Sequence, residues 1–314
     1  MCAGRSSAGA PASRPRRAQA QGAADQTPRP EPNFKDVQYG LYEADKLDLW
    51  LAQSDKPTPL AVFIHGGGFV GGDKSKVNGE ALRRCLASGV SFASINYRFR
   101  QAAGVQDIMR DAARAIQFLR FHAKDYNLDP KRVACYGGSA GAGTSLWIAV
   151  HDDLADAKSE DPIARESTRI SAAGCLNVQA TYDLREWDKV MGSAVQEFER
   201  GPGEAVQFYH LQSEADFDTP EGRKILADCN MLGQITPDDP PIFVYCGVPD
   251  EEPQSRGQYV HHPRHAQAIK QKCDEVGVEC QMLLAPKSAA GGSGDSTTAL
   301  LKFLFKRLGV EGAE

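Results

Sequence analysis

The stretch RVACYGGSAGAGTSLWIAV, residues 132–150, passes from an apolar run to an alanine-rich one through Gly137-Gly138-Ser139-Ala140-Gly141. Arg132 to Tyr136 reads as a strand, and the segment after the glycines, through about Leu154, reads as a helix. G-x-S-x-G between them puts a serine on a tight strand-to-helix turn. Gly137 and Gly141 flank Ser139 because a side chain there clashes in the sharp bend, where the serine backbone is held strained. The Ala140 N–H opens the helix and faces the same point as Ser139 Oγ, and the helix dipole adds positive potential there.

Upstream, Leu60-Ala61-Val62-Phe63-Ile64 is continuously apolar, as a buried parallel strand should be, and it ends at His65-Gly66-Gly67-Gly68-Phe69. The two motifs complement each other. A serine alcohol is a weak nucleophile, and its attack on a carbonyl leaves a negative oxygen that needs donors. A glycine triplet can aim bare backbone N–H groups at that oxygen.

The rest of the chain alternates strand-like and helix-like runs. Leu47 to Leu51 and Val90 to Tyr97 read as strands, with a helix over Glu80 to Ser88 stopped by Gly89. Asp107 to Asn127 is the clearest amphipathic helix, with Ile108, Ala112, Ala115, Ile116 and Leu119 recurring at three- and four-residue steps. Strands follow at Ile170 to Val178, Pro241 to Cys246 and Val278 to Leu284, with helices at Pro263 to Val276 and Ser296 to Leu308. The fold class is therefore α/β, a mostly parallel central sheet with helices on both faces. Ligands bind such sheets beyond the carboxyl ends of the strands, where both motifs lie.

Two segments break the pattern. Residues 1–33 hold almost no large apolar residue, and the composition predicts a disordered N-terminal tail before one domain over 34–314. Arg14, Arg16, Arg17 and Ala18-Gln19-Ala20 have export flavour, but the apolar centre of a signal is absent, so compartment stays open. Residues 183–238 strew Trp187, Phe198, Phe208, Tyr209 and Phe217 among polar residues. They read as a helical, lid-like insertion beside the site.

Composition sets further bounds. A formal net charge of −5 argues against a nucleic-acid partner, and no apolar run reaches the roughly 18 residues of a membrane span. The eight cysteines lack a framework or C-x-x-C spacing and read as buried thiols. Oligomeric state is not readable.

His65-Gly66-Gly67-Gly68-Phe69, Asn96-Tyr97-Arg98, Asp111-Ala112-Ala113-Arg114-Ala115 and Gly137-Gly138-Ser139-Ala140-Gly141 occur in the order seen in α/β-hydrolases. The chain resembles the hormone-sensitive-lipase-like and bacterial feruloyl-esterase-like groups, from about residue 36 to 310. The resemblance implies carboxylester hydrolysis of a small-molecule substrate with Ser139 as nucleophile. It implies an oxyanion hole from the Gly67, Gly68 and Ala140 amides, and a structural His65 bracing the glycine loop. Only protein groups and water are needed, so no cofactor or metal is implied.

The chain departs from that pattern in its C-terminal part. The family takes its acid from the turn after the strand matched by Ile242 to Cys246. Here that turn reads Gly247-Val248-Pro249-Asp250-Glu251-Glu252-Pro253, and Asp250 is the candidate acid; the alternative is a solvated acidic loop. The family's histidine follows the last strand, yet no His occurs after His265, and residues 285–295 are small and linker-like. His261 and His262 are the candidates for a displaced base reaching Ser139. Their alternative is helix capping, since Pro263 suits a first helical turn. His265 is expected to be exposed. His122, His151 and His210 read as ordinary helix or loop residues. Three functions stay open: a serine esterase with a relocated base, a catalytically impaired hydrolase fold serving as a binding module, or a hydrolase with altered chemistry on amides or thioesters.

Overall fold

The computed structural model of the protein describes residues 29–192, 202–285 and 293–310. In chain order the elements are β1 (Phe34–Gln38), β2 (Lys46–Trp50), β3 (Thr58–Ile64), α1 (Gly79–Ala87), β4 (Ser91–Ile95), α2 (Val105–Phe121), β5 (Leu128–Gly138) and α3 (Ala140–Val150). Then come β6 (Ala172–Leu176), α4 (Trp187–Met191), α5 (Pro202–Tyr209), α6 (Pro220–Cys229), α7 (Met231–Gln234), β7 (Ile242–Cys246), α8 (Arg256–Val260), α9 (Pro263–Val276), β8 (Cys280–Leu284) and α10 (Ser293–Arg307).

The strands form one eight-stranded sheet in the order β1-β2-β4-β3-β5-β6-β7-β8. The β1–β2 and β2–β4 pairs are antiparallel, and every pair from β4 to β8 is parallel. Central strands are buried on both faces, which is why they read as unbroken apolar runs. On one face Ile108, Ala112 and Ile116 of α2, Leu146 and Ile148 of α3 and Ile269 of α9 join one core with Leu60, Val62 and Ile64 of β3 and Val244 of β7. On the other, Leu82 and Cys85 of α1 and Leu300, Leu304 and Leu308 of α10 pack against Ala61, Phe92 and Phe243. The predicted α/β class is the architecture observed.

Helix α3 is buried along its whole length, so it carries no polar stripe; a helix apolar all round belongs inside. The seven described cysteines are free and buried, as expected. Helix α2 ends at Phe121, short of the expected Asn127, because residues 122–127 form turns closed by bonds such as Tyr126 N–H to His122 O. Strand β1 and helix α8 had no counterpart in the sequence reading.

The insertion is helical where it is described, from α4 to α7, with Trp187, Phe208 and Tyr209 buried and Phe217 half-buried. Phe198, the tail over residues 1–28 and the linker-like residues 286–292 lie outside the described residues. Among the described residues no helix is long and apolar enough to cross a membrane.

Candidate active site

The site is built at the carboxyl ends of β3 and β5. Ser139 follows β5 directly and has φ 52° and ψ −118°, a conformation L residues avoid, so the turn is held by its surroundings. The Ser139 N–H donates to Leu176 O of β6, and Ser139 O accepts from Gly143 N–H inside α3. Gly141 lets this happen: a Cβ there would stand 1.9 Å from Ile64 O of β3. No side chain fits between helix and strand at that contact.

The glycine loop lies on the elbow. A Cβ on Gly66 would meet Gly138 O at 2.6 Å and Ser139 Cβ at 3.5 Å. Gly67 has φ +120°, which L side chains rarely adopt. Its carbonyl accepts from Val70 N–H at 3.1 Å, and among the described residues no acceptor takes the Gly67 or Gly68 amides. Those two N–H groups and the Ala140 N–H at the first turn of α3 are the donors the loop and the elbow supply.

His65 sits beneath the loop. Its Nδ1 bonds Gly66 O at 2.8 Å, its ring stacks on Tyr97 at 4.3 Å between centroids, and Tyr97 O–H donates to His65 O at 2.5 Å. Burial holds its pKa below the ordinary imidazole value. These contacts tie His65 to the glycine loop and to Tyr97.

The two candidate histidines part company. His261 Nε2 is 2.8 Å from Ser139 Oγ, and its Nδ1 is 2.9 Å from Gly257 O. A carbonyl can only accept, so Nδ1 carries the proton and Nε2 turns its lone pair to the serine hydroxyl. Burial lowers the His261 pKa from its usual value, opposed by the Gly257 carbonyl. His261 is the C-cap of α8, whose N-cap Ser255 accepts from Gln258 N–H at 3.3 Å. Cys246, the last residue of β7, donates its thiol to His261 O at 3.1 Å, tying the turn to the sheet.

His262, in contrast, is buried and turned away from the serine. Its Nδ1 accepts from Arg264 N–H at 3.2 Å as the N-cap of α9, and its Nε2 donates to Glu251 O at 2.9 Å. The capping alternative is the one observed. Asp250 meets neither histidine; its Oδ2 accepts from Gln267 Nε2 at 3.3 Å. The carbonyl of Gly257 occupies the Nδ1 position where the sequence reading put a carboxylate. The expectation for His265 is corrected: it is fully buried, accepts from Ala180 N–H at 3.3 Å and packs edge-on against Trp187.

Helix α8 is the functional element that sequence reasoning missed. Five residues show no apolar period. The one available signal was Ser255 followed three residues later by Gln258, an S-x-x-Q helix start. Among the described residues no group of three His, Cys, Asp or Glu side chains is placed to hold a metal ion.

With this geometry in place, similarity to known proteins is informative. A family model described as BD-FAE matches residues 47–256. A probable isoprenylcysteine alpha-carbonyl methylesterase, ICMEL1 of Arabidopsis thaliana, is 29% identical over 140 residues, 44% of this chain and 29% of its own length. A probable carboxylic ester hydrolase, LipM of Mycobacterium tuberculosis, is 26% identical over 220 residues, 68% of this chain and 47% of its own. The chain thus spans less than half the length of these curated relatives. Among solved structures, the acetyl ester-xyloside bifunctional hydrolase of Caldicellulosiruptor lactoaceticus superposes with a TM-score of 0.64 at 21% identity, covering 85% of this chain and 89% of that one.

Proposed function

We infer the activity from one premise: the chain belongs to the BD-FAE family and has the α/β-hydrolase fold. It is a carboxylic ester hydrolase working through Ser139 and His261. The 2.8 Å contact between Ser139 Oγ and His261 Nε2 carries this reading.

Ser139 Oγ attacks the ester carbonyl while its proton passes to His261 Nε2. The Gly67, Gly68 and Ala140 amides receive the oxyanion, and the Gly257 carbonyl, bound to Nδ1–H, steadies the imidazolium. Collapse breaks the C–O bond, and the alcohol leaves with the proton from Nε2. Water then attacks the acyl-serine, giving its proton to Nε2, and the acid departs as Ser139 recovers its hydrogen. A carbonyl stabilises imidazolium less than a carboxylate does, so this dyad is slower than a full triad. Substrates are short-chain, aryl or acetylated-sugar esters. The methylesterase and the acetyl-ester hydrolase among the similar proteins support that range, as does an apolar hollow of about 150 Å³ lined by Leu184, Trp187, Tyr209, Phe217 and Tyr259 of α8.

Hydrolysis of 4-nitrophenyl acetate and butyrate tests the reading. Ser139→Ala and His261→Ala should each lose at least about a thousandfold in kcat/KM, while His262→Ala keeps its rate within about tenfold. One observation favours a second reading, a binding module with an impaired site: no carboxylate orients His261 among the described residues. That reading holds if the parent is no faster than Ser139→Ala and a fluorophosphonate leaves Ser139 unlabelled.

A further inference from the structure

A cleft of about 430 Å³ opens beside the glycine loop, walled by polar Arg100, Gln101, Gln207, His210 and Gln212 and apolar Val70 and Leu211. Val70 is two residues past Gly68, so two Cα steps, at most ~7.6 Å, separate the oxyanion loop from the cleft wall. Arg100 is fixed to the loop by its backbone: its N–H donates to Phe69 O at 2.7 Å, and its carbonyl accepts from His210 Nε2 at 2.5 Å. Its guanidinium lies over the Phe208 ring, 5.6 Å from the centroid.

We propose that this cleft selects an ester that carries a carboxylate, with Arg100 reading the charge. The inference deepens the esterase reading and rests on it for the reacting bond. Charge accounting carries it. The carboxylate facing Arg100 is Glu204, and its Oε1 stands 3.8 Å from Arg100 Nη1, beyond hydrogen-bond reach. Glu204 Oε2 is at the same time 2.7 Å from Arg256 Nη2. Two guanidinium groups share one carboxylate, and no Asp or Glu lines the cleft among the described residues. Arg100 Nε and Nη1 lie below the surface with no hydrogen-bond acceptor among the described residues, though the side chain keeps 19% of its surface exposed. Donors without acceptors are costly, and a planar guanidinium is shaped for a carboxylate. Gln101, Gln207 and Gln212 offer further donors and acceptors around it.

Two matched pairs of esters test this. 4-Acetoxybenzoate against phenyl acetate places the charge on the leaving side, and 4-nitrophenyl hemisuccinate against 4-nitrophenyl butyrate places it on the acyl side. Binding is read by calorimetry in the Ser139→Ala protein, and kcat/KM in the protein with Ser139 intact. At least one anionic ester should be favoured over its neutral partner. Arg100→Gln should lower that preference about tenfold, Arg100→Lys should restore part of it, and added salt should erode it in the parent. The salt series decides the matter even where Arg100→Gln fails to fold. Equal affinity for both members of both pairs, or a preference indifferent to salt and to Arg100→Gln, overturns the inference. A parent that hydrolyses neither pair, while Ser139→Ala binds the anionic member through Arg100, overturns the esterase reading and leaves the anion site standing.

Discussion

His261 has partners of opposite kinds, a serine hydroxyl that donates to Nε2 and a main-chain carbonyl that accepts from Nδ1. The carbonyl fixes the tautomer as a carboxylate would, but it brings no full negative charge to raise the imidazole's basicity. Burial therefore dominates, and the pKa falls below 6.5. In the proposed mechanism the neutral ring is the base, so kcat/KM should fall on acidification with a midpoint below 6.5, read from a pH series with 4-nitrophenyl acetate. A midpoint above 7 would mean that an unseen anion faces Nδ1. His265 gives a second pH effect, on stability. Complete burial pushes its pKa down to about 3. Between pH 6.5 and about 3 the unfolded chain binds a proton that the folded chain refuses. Stability then drops by about 1.4 kcal/mol per pH unit as pH falls through that window. Thermal melts of the parent should show this slope, and His265→Gln should flatten it; equal slopes in the two proteins would remove His265 as its source.

Helices α8 and α9 meet at adjacent histidines with opposite duties, and their first turns allow a paired experiment. Ser255 caps α8, and the orientation of His261 depends on Gly257 O within that one helical turn. His262 caps α9 from a buried position. Ser255→Ala and His262→Ala should each cost about 1 kcal/mol of stability in urea unfolding. Only Ser255→Ala should also lower kcat, by about tenfold, with KM little changed, because it loosens the base and not the pocket. Similar kcat losses in both variants would mean that the whole turn, and not α8 alone, positions the ring. Two adjacent histidines after an apolar strand are equivalent on paper. The backbone separates them: His261 ends one helix with its ring on Ser139 Oγ, and His262 starts the next with its ring buried against Glu251 O and Arg264 N–H.

Across the whole molecule the helical insertion is tied to the sheet-covering helices by a half-buried charge cluster. Asp228 of α6 accepts from His151 Nε2 at 2.8 Å, at the end of α3, and from both Nη atoms of Arg110 of α2 at 2.9 Å. The His151 pKa is raised: burial disfavours its charge, but the Asp228 carboxylate outweighs that. Asp228→Ala takes the carboxylate from both cationic partners and should cost about 1.5 kcal/mol in urea unfolding, less than a fully buried pair because Arg110 stays open to water; a loss below about 0.5 kcal/mol would show that apolar packing alone seats the insertion. Sequence alone determined the sheet and its two helical layers, because apolar periodicity is written residue by residue. It also determined the elbow and the glycine loop, whose demands on the backbone are met within a few neighbours. Only the tertiary structure decided which histidine meets Ser139. His261 reaches Ser139 across 122 residues of chain, and its approach depends on where β7 ends, how Cys246 holds the turn and how α8 is capped. The same holds for Arg100, which carries no sequence motif and which its bond to Phe69 O and its contact with Phe208 of α5 set beside the glycine loop. Local chemistry is legible in a local sequence, whereas a contact between distant segments is fixed by the packing of everything between them.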